Sequence, residues 1–167
     1  MKLLIVVTHL LGSGHLSRAL TLGRAFSAAG HQVSVASGGM PVPQLNHDDV
    51  ALVQLPPLCS DGVNFTRLLD EDGKVATQSY LDARQKVLMD SLKRLRPDVL
   101  ITELFPFGRR SLKQEFQTLL QHAKDIGTPL ILGSIRDILA PPSKPAKAIY
   151  ADQMIARFYD GVLVHSD

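Results

Sequence analysis

A glycine-rich turn that carries a histidine is the part of the sequence with the clearest chemical potential. Residues 8–18 follow an apolar segment and contain Gly12, Ser13, Gly14 and His15 in succession. Glycine lets a backbone approach an anionic group closely, and the first turn of a helix offers unpaired N–H groups with a partial positive charge. We therefore predict that Gly12, Ser13 and Gly14 bind a phosphorylated ligand at the end of a strand.

His15 is the candidate catalytic residue of this turn. It lies in the first turn of a predicted helix, where the helix dipole disfavours an imidazolium. A neutral imidazole at the ligand-binding edge of a sheet suits a general base, so we predict that His15 is catalytic. Arg18, about one turn later, is predicted to bind ligand. The alternative for His15 is a purely structural hydrogen bond to a neighbouring loop.

The turn departs from the two common nucleotide-binding motifs. Ser17 stands where the dinucleotide fingerprint has its third small residue, and the second predicted strand leads into Ser37, Gly38 and Gly39 with no acidic residue for a ribose. No Lys-Ser or Lys-Thr pair follows the turn, as a P-loop requires. We therefore predict no nicotinamide or flavin cofactor and no ordinary NTPase activity.

Two further groups of polar residues follow later predicted strands. Glu103, Arg109 and Arg110 come after the fourth strand, and Arg136 and Asp137 come after the fifth. Because the carboxyl ends of parallel strands meet at one edge of a sheet, we predict that all five bind ligand. The structural alternatives are a solvated arginine pair in contact with Glu103, and an ion pair between Arg136 and Asp137.

The other histidines and the cysteine give weaker indications of a catalytic or metal-binding role. His9 ends the first predicted strand and is expected to be a satisfied buried histidine. His165 and Asp167 end the last strand and are expected to face a cleft or hinge rather than perform chemistry. No two histidines have the spacing of a helical zinc site, and Cys59 is the single cysteine, so we predict no metal ion.

A membrane contact is considered for the apolar residues Leu104, Phe105 and Phe107, which lie beside the arginines after the fourth strand. Such a group can touch a membrane surface or a lipid-linked acceptor, but burial in a turn is the interpretation we favour. The longest apolar runs are far shorter than the roughly 20 residues that span a bilayer, so no transmembrane segment is predicted.

The composition is that of an ordinary globular domain. The chain of 167 residues is 45% hydrophobic and holds 18 Lys and Arg against 16 Asp and Glu, a net charge of +2. This balance does not indicate nucleic-acid binding, and the basic residues within 84–113 are interpreted as helix surface. The single cysteine and the lack of a signal sequence favour a cytoplasmic protein. We expect one domain that folds alone.

Apolar segments alternate with segments of helical period, which predicts an α/β domain with a parallel sheet between helices. Two stretches, 56–74 and 141–145, have no regular pattern and are expected to be long loops. The predicted architecture is Rossmann-like and three-layered, with a mostly parallel six-stranded sheet and helices on both faces. Predicted strands cover 3–8, 32–36, 51–55, 98–102, 130–134 and 161–165, and predicted helices cover about 14–29, 78–96, 111–126 and 146–159.

Three blocks together resemble a known enzyme family. These are the glycine-histidine turn, the sequence Phe-Pro-Phe-Gly-Arg-Arg at 105–110 and the sequence Ser-Ile-Arg-Asp-Ile-Leu at 134–139. They resemble the N-terminal domain of GT-B glycosyltransferases, in the family 28-like branch around the N-acetylglucosaminyltransferase of peptidoglycan synthesis. The resemblance spans nearly the whole chain.

The resemblance implies metal-independent transfer of a sugar from a nucleotide-sugar donor to the hydroxyl group of an acceptor, which includes the case of a lipid-linked acceptor. The acceptor would bind mainly to this domain, and the donor nucleotide would bind mainly to a C-terminal domain that lies outside this chain. In related inverting enzymes a histidine at the position of His15 acts as the base. We therefore expect this chain to fold alone but to transfer no sugar alone.

Two other functions remain open on the same residues. A nucleotide-sugar hydrolase of this architecture would use His15 to activate water instead of an acceptor. A non-catalytic α/β module would bind a phosphorylated ligand or a partner protein without turnover.

Overall fold

The fold is built on one six-stranded, fully parallel sheet. It was obtained as a computed structural model, which describes residues 1–63, 67–128, 130–136 and 144–165. The strand order is β3-β2-β1-β6-β7-β8, and two short strands, β4 and β5, form a separate antiparallel pair. The strands are β1 Lys2–Val7, β2 Gln32–Ser37, β3 Ala51–Gln54, β4 Cys59–Ser60, β5 Leu68–Leu69, β6 Val99–Glu103, β7 Leu130–Arg136 and β8 Gly161–His165.

Helices cover both faces of the sheet, as the sequence predicts. Among the helices of the described residues, α1 alone packs on one face, and the other three contribute to the core on the opposite face. Side chains alternate between the two faces along each strand, so Leu4 and Val6 of β1 join one core while Leu3 and Ile5 join the other. The helices are α1 Gly14–Ala28, α2 Gln78–Leu95, α3 Lys113–Asp125 and α4 Pro145–Phe158.

The strand order places the ends of β1 and β6 at the centre of the sheet. The chain first builds outward from β1 through β2 to β3, and then returns to add β6, β7 and β8 on the other side. In open α/β sheets, ligands bind in the crevice where the direction of building reverses, at the carboxyl ends of the strands. The glycine-histidine turn after β1 and Glu103 at the end of β6 both lie at this point.

The start of α3 differs from the sequence prediction. The spacing of Ser111 and Gln114 predicts a capping box, but a 3-10 turn at Arg110–Leu112 precedes α3, and Leu112 occupies the cap position without a side-chain hydrogen bond. Arg109 precedes this turn with a φ of 58°. The left-handed residue redirects the chain, so that the buried side chain of Leu112 rather than a hydroxyl cap anchors the helix start.

The two predicted loops also differ in part from expectation. The stretch 56–74 contains the antiparallel pair β4 and β5, which was not predicted because strands of two residues carry no measurable periodicity. In the second stretch, residues 141–143 lie outside the described residues, while Pro145 is the first residue of α4. Proline suits this position because the first residue of a helix needs no N–H donor.

Arg84 and Phe105 are both buried, against expectation for the first and in agreement with it for the second. Arg84 was expected on a helix surface, but its side chain is completely buried. Its position on α2 explains this, because Arg84 lies three residues after Leu81 and four before Leu88, on the buried stripe of the helix. Phe105 is fully buried and stacks on Phe116 with ring centroids 4.6 Å apart, as the buried-turn interpretation predicts.

Within the described residues, no helix combines the length and the apolar character that crossing a membrane requires.

Candidate active site

The centre of the candidate site is a cluster of His15, Arg18 and Glu103. The carboxylate oxygen Oε1 of Glu103 lies 3.0 Å from Nδ1 of His15 and 2.6 Å from Nη1 of Arg18. The two partners lie one turn apart on α1, whereas Glu103 ends β6, so the crevice at the sheet edge brings together residues 88 and 85 positions apart. The structure thus joins three of the predicted site residues directly.

Glu103 is nearly inaccessible, and its environment holds it in the ionised form. Burial raises the pKa of the carboxyl group, but hydrogen bonds from His15 and Ser134 and the charge of Arg18 outweigh burial and leave the pKa below its usual range. The hydroxyl of Ser134 donates to the second oxygen, Oε2. Glu103 therefore forms hydrogen bonds with Arg18, His15 and Ser134. Among the described residues it forms none with the arginine pair 109–110, which was the structural alternative.

The ionised carboxylate determines how the ring of His15 is protonated. A carboxylate without a proton can only accept hydrogen bonds, so Nδ1 of His15 must be the donor in the 3.0 Å contact. The neutral ring then carries its lone pair on Nε2. About a quarter of the His15 side chain is accessible to solvent, while only 1% of the Glu103 side chain is. A reacting group can reach the imidazole but not the carboxylate.

The glycine turn leaves open space beside this cluster. Gly12 has a φ of +54°, a conformation that other residues rarely adopt, and a methyl group added at Gly12 or Gly14 would meet no atom within 4 Å. These glycines are therefore not required by packing against other parts of the chain. Ser13 occupies the cap position of α1 without a side-chain capping bond. The turn offers exposed backbone of the kind that binds anions.

Arg109 lies close to the cluster without joining it. Its Nε donates to the backbone oxygen of Thr8, at the end of β1. Burial lowers the pKa of the Arg109 guanidinium, and the negative charge of Glu103 acts in the opposite direction. Arg109 therefore contributes positive charge to the same crevice from the side of the β6–α3 loop.

The other predicted ligand-binding residues lie apart from the cluster. Arg110 starts the 3-10 turn, and its buried Nε has no hydrogen-bond partner among the described residues. The hydroxyl of Tyr150 on α4 is likewise buried without a partner there. Arg136 is exposed at the end of β7, and Asp137 lies outside the described residues, so the predicted alternative of an ion pair between them stays untested.

A cavity of about 380 Å³ opens beside the glycine turn. His9 lines it, and Nε2 of that ring lies 3.0 Å from the backbone oxygen of Met40. Burial lowers the pKa of His9, and the positive charge of Arg109 adds to this effect, while the hydrogen bond to Met40 acts against it. Gly12 and Ser13, which were predicted to bind ligand, also line the cavity. The remaining lining residues carried no signal in the sequence and come from three segments of the chain: Leu10, Leu11, Met40, Val42, Gln44, Cys59 and Ser60.

The opposite face of the sheet is closed by Arg84. Nε and Nη2 of Arg84 donate to the two carboxylate oxygens of Glu115 at 2.7 and 3.2 Å. Further bonds, each of 2.7 Å, reach the backbone oxygens of Gly38 and Pro56 and the hydroxyl of Thr8. A guanidinium has five N–H donors, and all five are used here. Arg84 therefore connects the chain segments that follow β1, β2 and β3.

Gly38 and Gly39, which follow β2, pack closely against Arg84 and His9. A methyl group at Gly38 would lie 1.9 Å from Nη2 of Arg84, and one at Gly39 would lie 2.2 Å from the backbone oxygen of His9. Both positions need glycine because a neighbouring group occupies the space of a side chain. The Gly-Gly sequence that fails as a ribose site thus has a packing explanation.

Within the described residues, no three His, Cys, Asp or Glu side chains are grouped so that they could hold a metal ion.

Comparison with solved structures identifies the fold. The glycosyltransferase SsfS6 of Streptomyces sp. SF2575 aligns with a TM-score of 0.58 and 20% identity, over 98% of this chain and 49% of SsfS6. MurG of Acinetobacter baumannii aligns with a TM-score of 0.55 and 15% identity, over 100% of this chain and 42% of MurG. UGT2 of Phytolacca americana, in complex with UDP-2-fluoro-glucose and pterostilbene, aligns with a TM-score of 0.50 and 17% identity, over 81% of this chain and 30% of UGT2.

These similarities show that the chain has the Rossmann-like fold of the N-terminal domain of GT-B glycosyltransferases, which confirms the predicted fold. The chain spans less than half the length of each of these structures. No model of a protein family matches the sequence, and a search of curated proteins found no match.

Proposed function

We propose that this chain is the acceptor-binding half of a metal-independent glycosyltransferase in which His15 is the general base. The observation that carries the proposal is the contact between Nδ1 of His15 and the buried carboxylate of Glu103. This contact leaves the lone pair of a neutral ring on Nε2, and about a quarter of the His15 side chain is accessible to solvent. The similarity to glycosyltransferase structures supports sugar transfer as the reaction.

The proposed reaction is a displacement at the anomeric carbon of a nucleotide-sugar. An acceptor hydroxyl attacks that carbon while its proton passes to Nε2 of His15. The new C–O bond forms as the bond to the nucleoside diphosphate breaks, and the diphosphate leaves with the bonding electrons. The imidazolium that results lies 3.0 Å from the carboxylate of Glu103, which stabilises its charge.

Arg18 has an indirect role in this scheme. Its guanidinium shares oxygen Oε1 of Glu103 with His15 and favours the ionised carboxylate. A protonated Glu103 would carry no negative charge, so it could not stabilise the positive charge of a protonated His15 ring. The exposed backbone of Gly12, Ser13 and Gly14, together with Arg109, would attract the phosphate groups of a ligand.

The acceptor would occupy the cavity beside the glycine turn. Leu10, Leu11, Met40 and Val42 give the cavity an apolar part, and His9 lies among its polar groups. An acceptor with both an apolar portion and a hydroxyl group fits such a lining, because apolar surface is buried favourably while a few polar contacts orient the molecule. The donor nucleotide would bind to a second domain, as UGT2 is a longer chain solved with a UDP-sugar analogue.

The experiment that tests the proposal is His15→Ala in a protein that contains both halves of the enzyme. Transfer from UDP-, GDP- and dTDP-sugars to candidate acceptors is measured in EDTA, and the substitution is expected to lower kcat by about 10²–10⁴-fold. His47→Ala is the control, because the exposed residue His47 does not line the cavity. Transfer at close to the parent rate after His15→Ala would contradict the base assignment.

The same assay separates the two other functions. Release of free sugar without an acceptor as the main reaction would indicate the hydrolase. Binding of nucleotide-sugar without turnover would indicate a non-catalytic module. We expect the 167-residue chain alone to give no transfer, since the proposed donor domain would be missing from the assay.

A further inference from the structure

A row of hydrogen-bonded polar side chains crosses three neighbouring strands next to the proposed base. Glu103 of β6 and Ser134 of β7 are register partners, and the Ser134 hydroxyl donates to Oε2 of Glu103. On the other side, Oγ of Ser134 lies 2.9 Å from Nε2 of His165, at the end of β8. With His15, these residues form a continuous chain in which an imidazole stands at each end.

The direction of each hydrogen bond follows from the ionised carboxylate. Glu103 has no proton to give, so the single hydroxyl proton of Ser134 points to Oε2. The hydroxyl oxygen can then only accept from the other side, and therefore Nε2 of His165 must carry a proton and donate it. Every hydrogen bond of the row is therefore donated toward Glu103, from His15 on one side and from His165 through Ser134 on the other. The two sides use different carboxylate oxygens of Glu103.

The row is held by rigid elements rather than by loops. Glu103, Ser134 and His165 each lie two residues after an apolar residue that packs on the α1 face of the sheet, namely Ile101, Leu132 and Leu163. Because side chains alternate along a strand, residues two apart share a face. The polar row is thus the last layer on the same face, directly beyond the apolar core.

We infer that Ser134 and His165 are positioning residues for the pair formed by His15 and Glu103. Ser134 occupies Oε2 of Glu103 and stops the carboxylate from rotating, so that Oε1 stays aimed at His15 and Arg18. His165 fixes the hydroxyl rotor of Ser134 by donating to it. The catalytic meaning of this inference rests on the proposed general-base role of His15, but the hydrogen-bond chain can be tested without any enzymatic assay.

The first test uses the 167-residue chain labelled with ¹⁵N in its histidines. Long-range ¹H–¹⁵N NMR spectra at neutral to alkaline pH report the protonated nitrogen of each ring. In the parent protein we expect the Nδ1–H form of His15 to dominate and the Nε2–H proton of His165 to be protected from exchange with water. Ser134→Ala is expected to lower the ratio of Nδ1–H to Nε2–H in His15 at least twofold, and to speed exchange at His165 about tenfold or more.

Ser37→Ala is the matched control for this substitution. Ser37 is a completely buried serine at the end of β2, and its hydroxyl has no hydrogen-bond partner among the described residues. The control removes the same hydroxyl from the same kind of position without touching the row. His165→Leu, at the less buried end of an edge strand, repeats the His15 measurement if Ser134→Ala does not fold. Spectra of these variants that match the Ser37→Ala spectrum at His15 would overturn the inference.

The second test uses sugar transfer by a protein that contains both halves. Glutamine at position 165 keeps an N–H donor near the place of Nε2, whereas leucine has none. We expect His165→Leu to lower kcat about tenfold with little change in KM, and His165→Gln to return kcat to within about threefold of the parent. Equal losses in the two variants would overturn the role of His165.

The two proposals fail in different ways. Full transfer activity in His15→Ala would remove the general-base role, and it would leave the expected NMR difference between Ser134→Ala and Ser37→Ala in place. An unchanged ring of His15 in Ser134→Ala would remove the positioning role, whatever the transfer rate of His15→Ala.

Discussion

Two arginine–glutamate pairs lie on opposite faces of the sheet and differ in how completely they are satisfied. Arg84 and Glu115 connect α2 and α3 on one face, and Arg18 and Glu103 connect α1 and β6 on the other. Thr8, at the end of β1, takes part in the support of both sides, because its hydroxyl accepts from Arg84 and its backbone oxygen accepts from Arg109.

The pair of Arg84 and Glu115 is closed to solvent, whereas the pair of Arg18 and Glu103 is open to solvent on the side of Arg18 and His15. Every N–H of Arg84 has an acceptor, and none of its side chain is accessible to solvent. The side chains of His15 and Arg18 are 26% and 21% accessible, and one nitrogen of His15 keeps a lone pair. A saturated buried arginine can only hold structure, whereas a buried carboxylate that orients an accessible imidazole can support proton transfer. The same residue types thus serve two purposes.

The largest expected effect in this comparison is on the closed pair. Arg84→Met leaves the carboxylate of Glu115 buried without its charge partner, which is expected to lower the free energy of unfolding by about 3–5 kcal/mol. Urea denaturation followed by circular dichroism measures the change. Lys86→Met on the exposed side of the same helix is the control and should leave the midpoint unchanged. A small effect of Arg84→Met would mean that the pair does not stabilise the fold.

A smaller effect is expected from the glycines of the two sides. Gly38→Ala forces a methyl group against Arg84 and Thr8, and we expect it to cost about 1–3 kcal/mol of stability. Gly14→Ala has open space around the new methyl group and should leave stability the same or slightly higher. Thermal melts of both variants give the comparison. Equal destabilisation by the two substitutions would contradict the distinction between a packed and an open glycine.

The smallest expected effect is a change in how the melting temperature depends on pH when Glu103 is replaced. The pKa of Glu103 in the folded chain lies below its ordinary value of 4.5, so its ionised form stabilises the fold above that pH. This contribution is lost as the pH falls through the pKa of the folded state. The melting temperature of Glu103→Gln should therefore fall less than that of the parent between pH 7 and pH 3, by a few degrees.

The control for this pH series is Asp152→Asn, which removes one carboxylate from the exposed side of α4. Its melting temperature should follow the parent curve. A Glu103→Gln curve parallel to both would show that Glu103 contributes nothing to the acid dependence of stability.

Much of the fold was predictable because it depends on local patterns. All six strands of the sheet and all four helices lie within a few residues of their predicted positions, since burial on both faces favours unbroken apolar strands and burial on one side favours helical spacing. The buried position of Arg84 was also within reach, because it shares the spacing of Leu81 and Leu88. The two-residue strands β4 and β5 were not, because so short a segment has no period.

The candidate site was predictable in part. His15, Arg18 and Glu103 were all proposed as site residues from their places after strands. Their contact with one another was not predicted, and the structural alternative paired Glu103 with Arg109 and Arg110 instead. Ser134 and His165 were passed over as site residues, although the sequence holds an indication of them. Each follows an apolar residue by two positions at the carboxyl end of a strand, as Glu103 does.

The sequence by itself determined the α/β class, the position of the glycine turn at a strand end and the residue types available for acid–base chemistry. These properties depend on neighbours within a few positions along the chain. Only the tertiary structure decided which glutamate meets His15 and which arginine is buried, because those contacts join residues 88 and 31 positions apart. The strand order brings β6 next to β1. That pairing places Glu103 beside His15, so that one carboxylate among several possible partners holds the histidine ring.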